Sequence, residues 1–406
     1  MSRGVVLLKL ALRNVFRNRR HSLYALATTT IGSMGLLVFM GFNRGTMDEY
    51  RENTIRARWG HGQLYLRGYR GKAHEQPWAS WIENPEEVIA KLRSLPHVHN
   101  LFPRVTIPAM VSAGGKSVAA QGEGIDGITE AGFFTRLNYV EGGDFKGHPH
   151  GIVLGLGLAA GLGVHVDDEI QLVVRDETMA IRSAKLSVTG VFHTGVQDFD
   201  SRTFRIPLKV AQELLGTDRV ETISVALSGV PAWPNFAGAI NMFLPDLEAV
   251  SFDELDRVYY RHAVNWLDAQ FAFIQGIILL MVFFGIFSAI SMTVMERTVE
   301  IGMLRANGDS PFEIAAGQIM ESAFLGLLGG SLGILGGWLL SIGPLHQGIA
   351  MPPAPGLTRG LRIFIALAPW EALQVLSLTT GTALAGSLPP IWRAMRIPIV
   401  AALRHI

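Results

Sequence analysis

The side chains with the most chemical potential sit in one short stretch, residues 295–314, which reads MERTVEIGMLRANGDSPFEI. Glu296, Arg297, Glu300 and Arg305 give it charge of both signs. Residues 300–306 read as one or two helical turns. Ile301 and Leu304 share a face by their i,i+3 step, and Glu300 and Arg305 leave the other face charged. Gly308 suits a helix-ending position, and Ser310 suits an N-cap before Pro311. An apolar-and-charged helix of this kind suits docking against a soluble partner. The same composition also fits a tight turn whose charges face water.

Other strings tempt but fail on their surroundings. Gly155-x-Gly157-x-x-Ala160 follows an apolar run with Asp176 downstream, as a dinucleotide site would, yet Gly161 and Gly163 cut the following helix short. Gly115-Lys116-Ser117 ends like a phosphate loop, but Met110 stands where glycine belongs, so a hairpin turn is expected. Gly329-x-Ser331-x-Gly333 matches a nucleophile elbow inside an apolar helix with no sheet to strain it. His97-x-His99 and His148-x-His150 could hold a metal, but no carboxylate cluster completes either set, and no metal site is expected. The chain has no cysteine, which removes thiolate catalysis, disulfides and Cys-based zinc sites. No residue set reads as catalytic, so no enzyme is expected.

The elements that carry the charged stretch are apolar. Residues 271–294 and 312–342 flank it, and each exceeds the roughly 20 residues a helix needs to cross hydrocarbon. Mean hydropathy is +0.29 and only 17% of residues are charged, as in a membrane protein. A third apolar run, residues 23–42, follows Arg3, Lys9, Arg13, Arg17, Arg19 and Arg20 with no acid among them. The basic segment reads as an amphipathic helix on an anionic surface. The run after it is too long for a signal-peptide core and lacks a cleavage site, so it reads as a retained anchor. The basic excess places both termini in the cytoplasm, with Arg393, Arg396 and Arg404 agreeing at the far end.

The expected fold is therefore an α-helical integral membrane protein with four transmembrane helices and a large mixed α/β extracytoplasmic domain between helices 1 and 2. The expected segments are 1–22 cytoplasmic, 23–43 span, 44–270 external, 271–295 span, 296–311 link, 312–342 span, 343–363 external loop, 364–392 span and 393–406 tail. Residues 44–58 prolong the first span. On the return, Leu255, Val258, Tyr259, His262 and Trp266 recur at helical steps, giving a second stalk helix. Between them, Asn84 caps a helix, and residues 105–111 and 118–121 form a hairpin over Gly114-Gly115.

The third span carries Gly326, Gly329, Gly330, Gly333 and Gly337, a small-residue surface that lets another helix approach closely. Glu321 within it and Glu371 near the fourth span are intramembrane carboxylates, which are costly unless they face a bundle interior or cavity. Pro389-Pro390 is expected to bend the chain at its cytoplasmic exit.

Several motifs resemble the MacB/FtsX-like ABC transporter permeases, closest to the LolC/LolE lipoprotein-releasing group. Glu296-Arg297-x-x-Glu300-Ile301-Gly302-x-Leu304-Arg305-Ala306-x-Gly308 is similar to that family's cytoplasmic link. Arg393-Ala394-x-Arg396-x-Pro398-x-x-Ala401-Ala402-Leu403-Arg404 is similar to its tail, and Leu10-Ala11-Leu12-Arg13-Asn14 to its N-terminus. Gly124-Ile125-Asp126 and Gly155-x-x-Leu158-Ala159-x-x-Leu162-Gly163-Val164 resemble its periplasmic domain. Val299 and Asn307 depart from it, standing where a basic and an apolar residue belong. The resemblance implies a bacterial inner-membrane permease with no cofactor of its own, ATP and Mg being bound by a separate ABC-type ATPase. It also implies a second permease copy or paralogue, and a periplasmic lipoprotein or carrier as a partner. The alternative it allows is an FtsX-like scaffold that activates an extracytoplasmic hydrolase without transport.

Overall fold

The computed structural model describes residues 19–72, 77–145, 148–257, 262–296, 298–308, 310–352, 360–396 and 398. The N-terminal basic segment up to residue 18, Arg297, Val258, Tyr259 and the tail motif beyond Pro398 lie outside these.

In chain order, helix α1 (Arg19–Thr54) runs on into a wide π turn, Ile55–Trp59. Among the described residues, ten paired strands follow: β1 (Gly62–Leu66), β2 (Val98–Ala113), β3 (Lys116–Ile125), β4 (Asn138–Gly142), β5 (Gly151–Gly155), β6 (Glu169–Arg175), β7 (Ile181–His193), β8 (Thr203–Pro207), β9 (Thr222–Leu227) and β10 (Leu247–Ser251), with a separate two-stranded ribbon of Ile349–Met351 and Leu361–Ile363. Helices α2 (Leu208–Leu215) and α3 (Trp233–Phe243) lie among the later strands. The chain ends in α4 (His262–Glu296), α5 (Thr298–Ala306), α6 (Pro311–Ile342) and α7 (Pro369–Arg396). It divides into two compact units, Met1–Asp48 with Asn265–Ala350 and Arg362–Ile406, and Glu49–Val264 with Met351–Leu361.

The helical unit exposes apolar side chains as a bundle in lipid does. On α4, Phe273, Ile277, Leu280, Met281 and Phe284 point outward. Among the described residues, three helices are long and apolar enough to cross a membrane, spanning Ser22–Trp59, Val264–Glu296 and Pro311–Ile342. The fourth expected span forms a 28-residue helix, α7, that is not among them. Its Thr, Ser, Gly and Pro content dilutes its apolarity, and its small residues face neighbouring helices. Thr379, Ala383, Gly386 and Ser387 are buried. Pro389 and Pro390 do not bend the chain out of the helix, which continues to Arg396. Burial of Pro390, Ile391 and Ala394 holds that last stretch in place despite two missing donors.

In the second unit β2 is the shared member of two sheets. Its first half pairs with β9, which continues through β1 to β10, all antiparallel. Its second half opens a closed ring of pairings, β2-β3-β8-β5-β7-β6 and back to β2. A ring of this size has room inside only for side chains. Ile107, Val111, Leu154, Leu172, Leu186 and Phe204 are fully or almost fully buried in the domain's largest core cluster. The Gly114-Gly115 hairpin joins β2 to β3, both glycines with positive φ. Asn84 precedes the Pro85–Leu92 helix but makes no side-chain cap, because its left-handed backbone (φ 48°) turns the amide away.

The second stalk stripe does not lie on one helix. Leu255 ends a separate short helix, Phe252–Leu255, and packs on the domain core; Val258 and Tyr259 lie outside the described residues, His262 is the first described residue of α4, and Trp266 points outward.

Candidate functional site

The link between α4 and α6 is built by local rules. Ser310 accepts from the amide of Glu313 at 3.2 Å, while the Glu313 carboxylate accepts from the Ser310 amide at 3.3 Å, a reciprocal capping box ahead of α6. Gly308 closes α5 with φ +100°. The apolar pair of α5 splits. Ile301 is buried with Val294 and Ala394 in the bundle, whereas Leu304 and Met303 are exposed, with Glu300 beside them. The two side chains diverge by only about 60° around the helix, so the bundle covers the edge of the shared face that carries Ile301 and leaves the edge that carries Leu304. Glu296 is exposed and Arg305 half-buried, lining a small apolar cleft with Val294, Ile301, Pro311 and Ile391. α5 is thus anchored by one side and presents Glu300, Met303 and Leu304 on another.

The glycines of α6 serve two seams inside the chain. A methyl group on Gly329 would meet Thr29, one on Gly333 would lie 2.5 Å from the Thr30 carbonyl oxygen, and one on Gly337 would crowd Leu37, all on α1. Gly326 and Gly330 abut Ala383, Thr380 and Leu376 on α7. Ser33 also donates to the Gly329 carbonyl across the first seam at 3.2 Å. Small residues thus bring the backbones together without a hydrophobic drive, the usual solution in lipid.

The two carboxylates have different settings. Glu371 is buried, accepts from the Ala368 amide at 2.9 Å, and pairs with Arg44 of α1 at 3.3 Å; Arg44 also lies over the Trp370 ring. Glu321 is buried in a polar cleft with Ser22, Thr293, Gln318 and Ser322.

A buried ion network in the strand domain was not expected. Arg104 on β2 donates two hydrogen bonds to Glu130, at 2.7 and 2.8 Å, and Arg205 on β8 lies 2.9 Å from Glu123, its register partner on β3. All four are at most about one-fifth exposed at the side chain. Burial alone would lower Arg104, but Glu130 and Glu123 raise it. Burial raises Glu130 despite Arg104, whereas Arg205, Arg104 and Arg58 outweigh burial at Glu123 and lower it. The signal was present in the sequence: Arg205 stands between Phe204 and Ile206 in a short apolar run, where a lone charge implies a buried partner.

Gly155-x-Gly157 leads into a helix of seven residues, Leu156–Leu162, with Gly155 pressed on the Asp200 backbone. His97, His99, His148 and His150 are all exposed. Among the described residues no group of three or more His, Asp or Glu is placed to hold a metal.

These features define a class: a multi-span membrane protein with one large mixed α/β domain inserted after its first helix. Residues 22–240 match the MacB-like periplasmic core domain family, and residues 272–399 match the FtsX-like permease C-terminal family. The chain belongs to this family of MacB- and FtsX-like permeases. It is 24% identical over 282 residues to the lipoprotein-releasing system transmembrane protein LolC of Xylella fastidiosa, covering 63% of this chain and 65% of that one. It is 24% identical over 332 residues to LolC of Neisseria meningitidis serogroup B, covering 79% and 76%. The ABC transporter permease YtrF of Bacillus subtilis is 32% identical over 129 residues, 30% of this chain and 28% of that one. The chain thus spans a little under two thirds of the Xylella relative. Among solved structures, the periplasmic region of MacB from Actinobacillus actinomycetemcomitans superposes with TM-score 0.37 and 14% identity, covering 50% of this chain and 94% of that one. The extracellular domain of YknZ from Gram-positive bacteria gives 0.35 and 11%, covering 47% and 99%.

Proposed function

We propose that this chain is the permease subunit of an ATP-driven transporter whose nucleotide-binding subunit is a separate chain, and that α5 is the surface this subunit pushes. The observation that carries the reading is the two-sided setting of α5. Ile301 fixes it to the bundle, while Met303 and Leu304 are exposed where a docking partner could reach them, with Glu300 on the same side. A helix anchored on one side and exposed on the other transmits a push from below. The chain supplies no chemistry to hydrolysis; it needs only different contacts with two states of the ATPase. In this reading ATP and Mg stay on the partner, α7 crosses as a fourth span, both termini are cytoplasmic, and two permease copies or paralogues act together at a bacterial inner membrane. The LolC relatives, named as lipoprotein-releasing proteins, support a lipid-anchored protein or similar amphiphile as cargo.

The test is charge reversal, Glu300→Lys with Arg305→Glu, in the complex purified from its native membrane and reconstituted in vesicles with a fluorescent lipoprotein. Hydrolysis without release, against a wild-type complex that releases, supports the reading. Wild-type release per ATP in the double variant contradicts it. ATP-dependent activation of an external hydrolase with no lipoprotein moved would favour the scaffold alternative.

A further inference from the structure

The last four carbonyls of a helix have no partner within it, and they form the negative end of its dipole. The π turn, Ile55–Trp59, closes on itself once, the Gly60 amide donating to the Ile55 carbonyl at 2.9 Å. The next three carbonyls, of Arg56, Ala57 and Arg58, are each met by a different part of the strand domain, the first by the Arg136 amide at 3.3 Å. Arg205 Nη2 donates to the Ala57 carbonyl at 3.5 Å, and Arg104 Nη1 donates to the Arg58 carbonyl at 2.7 Å. Two guanidinium groups thus sit against a helix end that favours cations. The same two are the arginines fixed by Glu130 and Glu123 to β2, β3 and β8. About two turns before Arg56, Arg136 also grips Glu49 with bonds of 2.7 and 3.1 Å.

Gly60, at φ +70°, ends the turn but reaches only the Ile55 carbonyl, so two of the carbonyls that follow fall to the guanidinium groups. A buried ion pair is seldom a gain in stability over apolar packing, so its value here is directional. The π turn matters to the fit, since its wider coil splays carbonyls outward, and such turns recur at functional sites.

We propose that Arg104 and Arg205 are positioning residues: a charged socket that takes the carbonyl end of α1 and ties it to β2, β3 and β8, so that residues 49–59 and the sheet move as one body. Its functional meaning rests on the permease reading above, to which it adds that the end of α1 passes motion to the sheet. Its geometry does not.

The absence of native cysteine allows clean labelling. Spin labels at Asn53→Cys, on α1, and Lys185→Cys, on β7, in the full chain in nanodiscs report the joint directly. The socket predicts one narrow distance distribution that Arg205→Lys and Arg104→Lys widen about twofold, with tryptophan fluorescence still native. A distribution as narrow as the parent's in both folded lysine variants overturns it. Should those variants fail to fold, the parent alone decides. In the complex with its ATPase, ATP and vanadate must leave the Asn53–Lys185 distance unchanged, and a shift beyond about 5 Å overturns the rigid joint. Where the lysine variants fold, they should also release about tenfold less cargo per ATP at an unchanged hydrolysis rate. An unchanged yield would overturn the positioning role. A narrow, socket-dependent distance in a chain that shows no ATP-linked activity would sink the permease reading and leave the joint standing.

Discussion

The seam between α1 and α6 offers the sharpest quantitative test, through Gly333→Ala. The added methyl would lie 2.5 Å from the Thr30 carbonyl oxygen and 2.8 Å from the Met34 amide nitrogen, both backbone atoms that no rotamer change can move aside. Reaching ordinary contact distances requires the helices to part by about 1 Å. That motion also stretches the 3.2 Å bond from Ser33 to the Gly329 carbonyl. Overpacking costs about 1–3 kcal/mol, and the interhelical bond about 0.6 kcal/mol. Replacing glycine by alanine within a helix returns up to about 1 kcal/mol. The net expectation is a loss of about 1–2 kcal/mol. Gly381→Ala is the control, because nothing lies within 4 Å of its new methyl and only the helix-propensity gain remains. Unfolding in mixed micelles by detergent titration, followed through the eight tryptophans, would compare them. Stability of Gly333→Ala equal to or above that of Gly381→Ala would refute the packing argument.

Three further outcomes follow from other sites. His61 is buried and its Nδ1 accepts from the Leu227 amide at 3.2 Å, so it folds neutral, with burial lowering its pKa from 6.5 to about 4. Stability is therefore full above pH 6.5 and falls by about 3 kcal/mol as pH drops towards 4. Hydrogen exchange in the strand domain should show this slope, and His61→Asn, which keeps the acceptor, should flatten it. Arg104→Met strands Glu130 in the interior and should cost about 3–5 kcal/mol, with Arg104→Met/Glu130→Leu recovering most of it in thermal unfolding. Ser310→Ala removes one half of the capping box and should lower local stability by about 0.5–2 kcal/mol, read as faster amide exchange in the first turn of α6.

Period and length carried much of the architecture in the sequence. Long uncharged runs allow one structure in lipid, a helix, so three spans and the inserted domain could be read directly. The fourth expected span is not marked in the same way, because α7 spends its small residues on packing, which lowers the apolarity that marks a span. The capping box at Ser310 and the turn at Gly308 were legible because caps depend on neighbours in sequence. What was not legible depends on distant partners. Glu371 gave no hint of Arg44, more than 300 residues away, nor Glu123 of Arg205 on a parallel neighbour strand. The closed six-strand ring also depends on pairings, such as β2 with β6, that local alternation does not specify. Leu255 leaves the stalk stripe for a related reason: its spacing fits one helix, but it ends the short helix Phe252–Leu255 and packs on the domain core.

The account depends most on α5 being pushed by another chain. A photo-crosslinker at Leu304, exposed on α5, compared with one at Ile301, buried in the bundle, in the complex purified from its native membrane, tests that directly. The expected result is an ATP-dependent crosslink from position 304 to a nucleotide-binding subunit and none from 301. An ATPase-containing complex that crosslinks from neither position, with or without ATP, would contradict it.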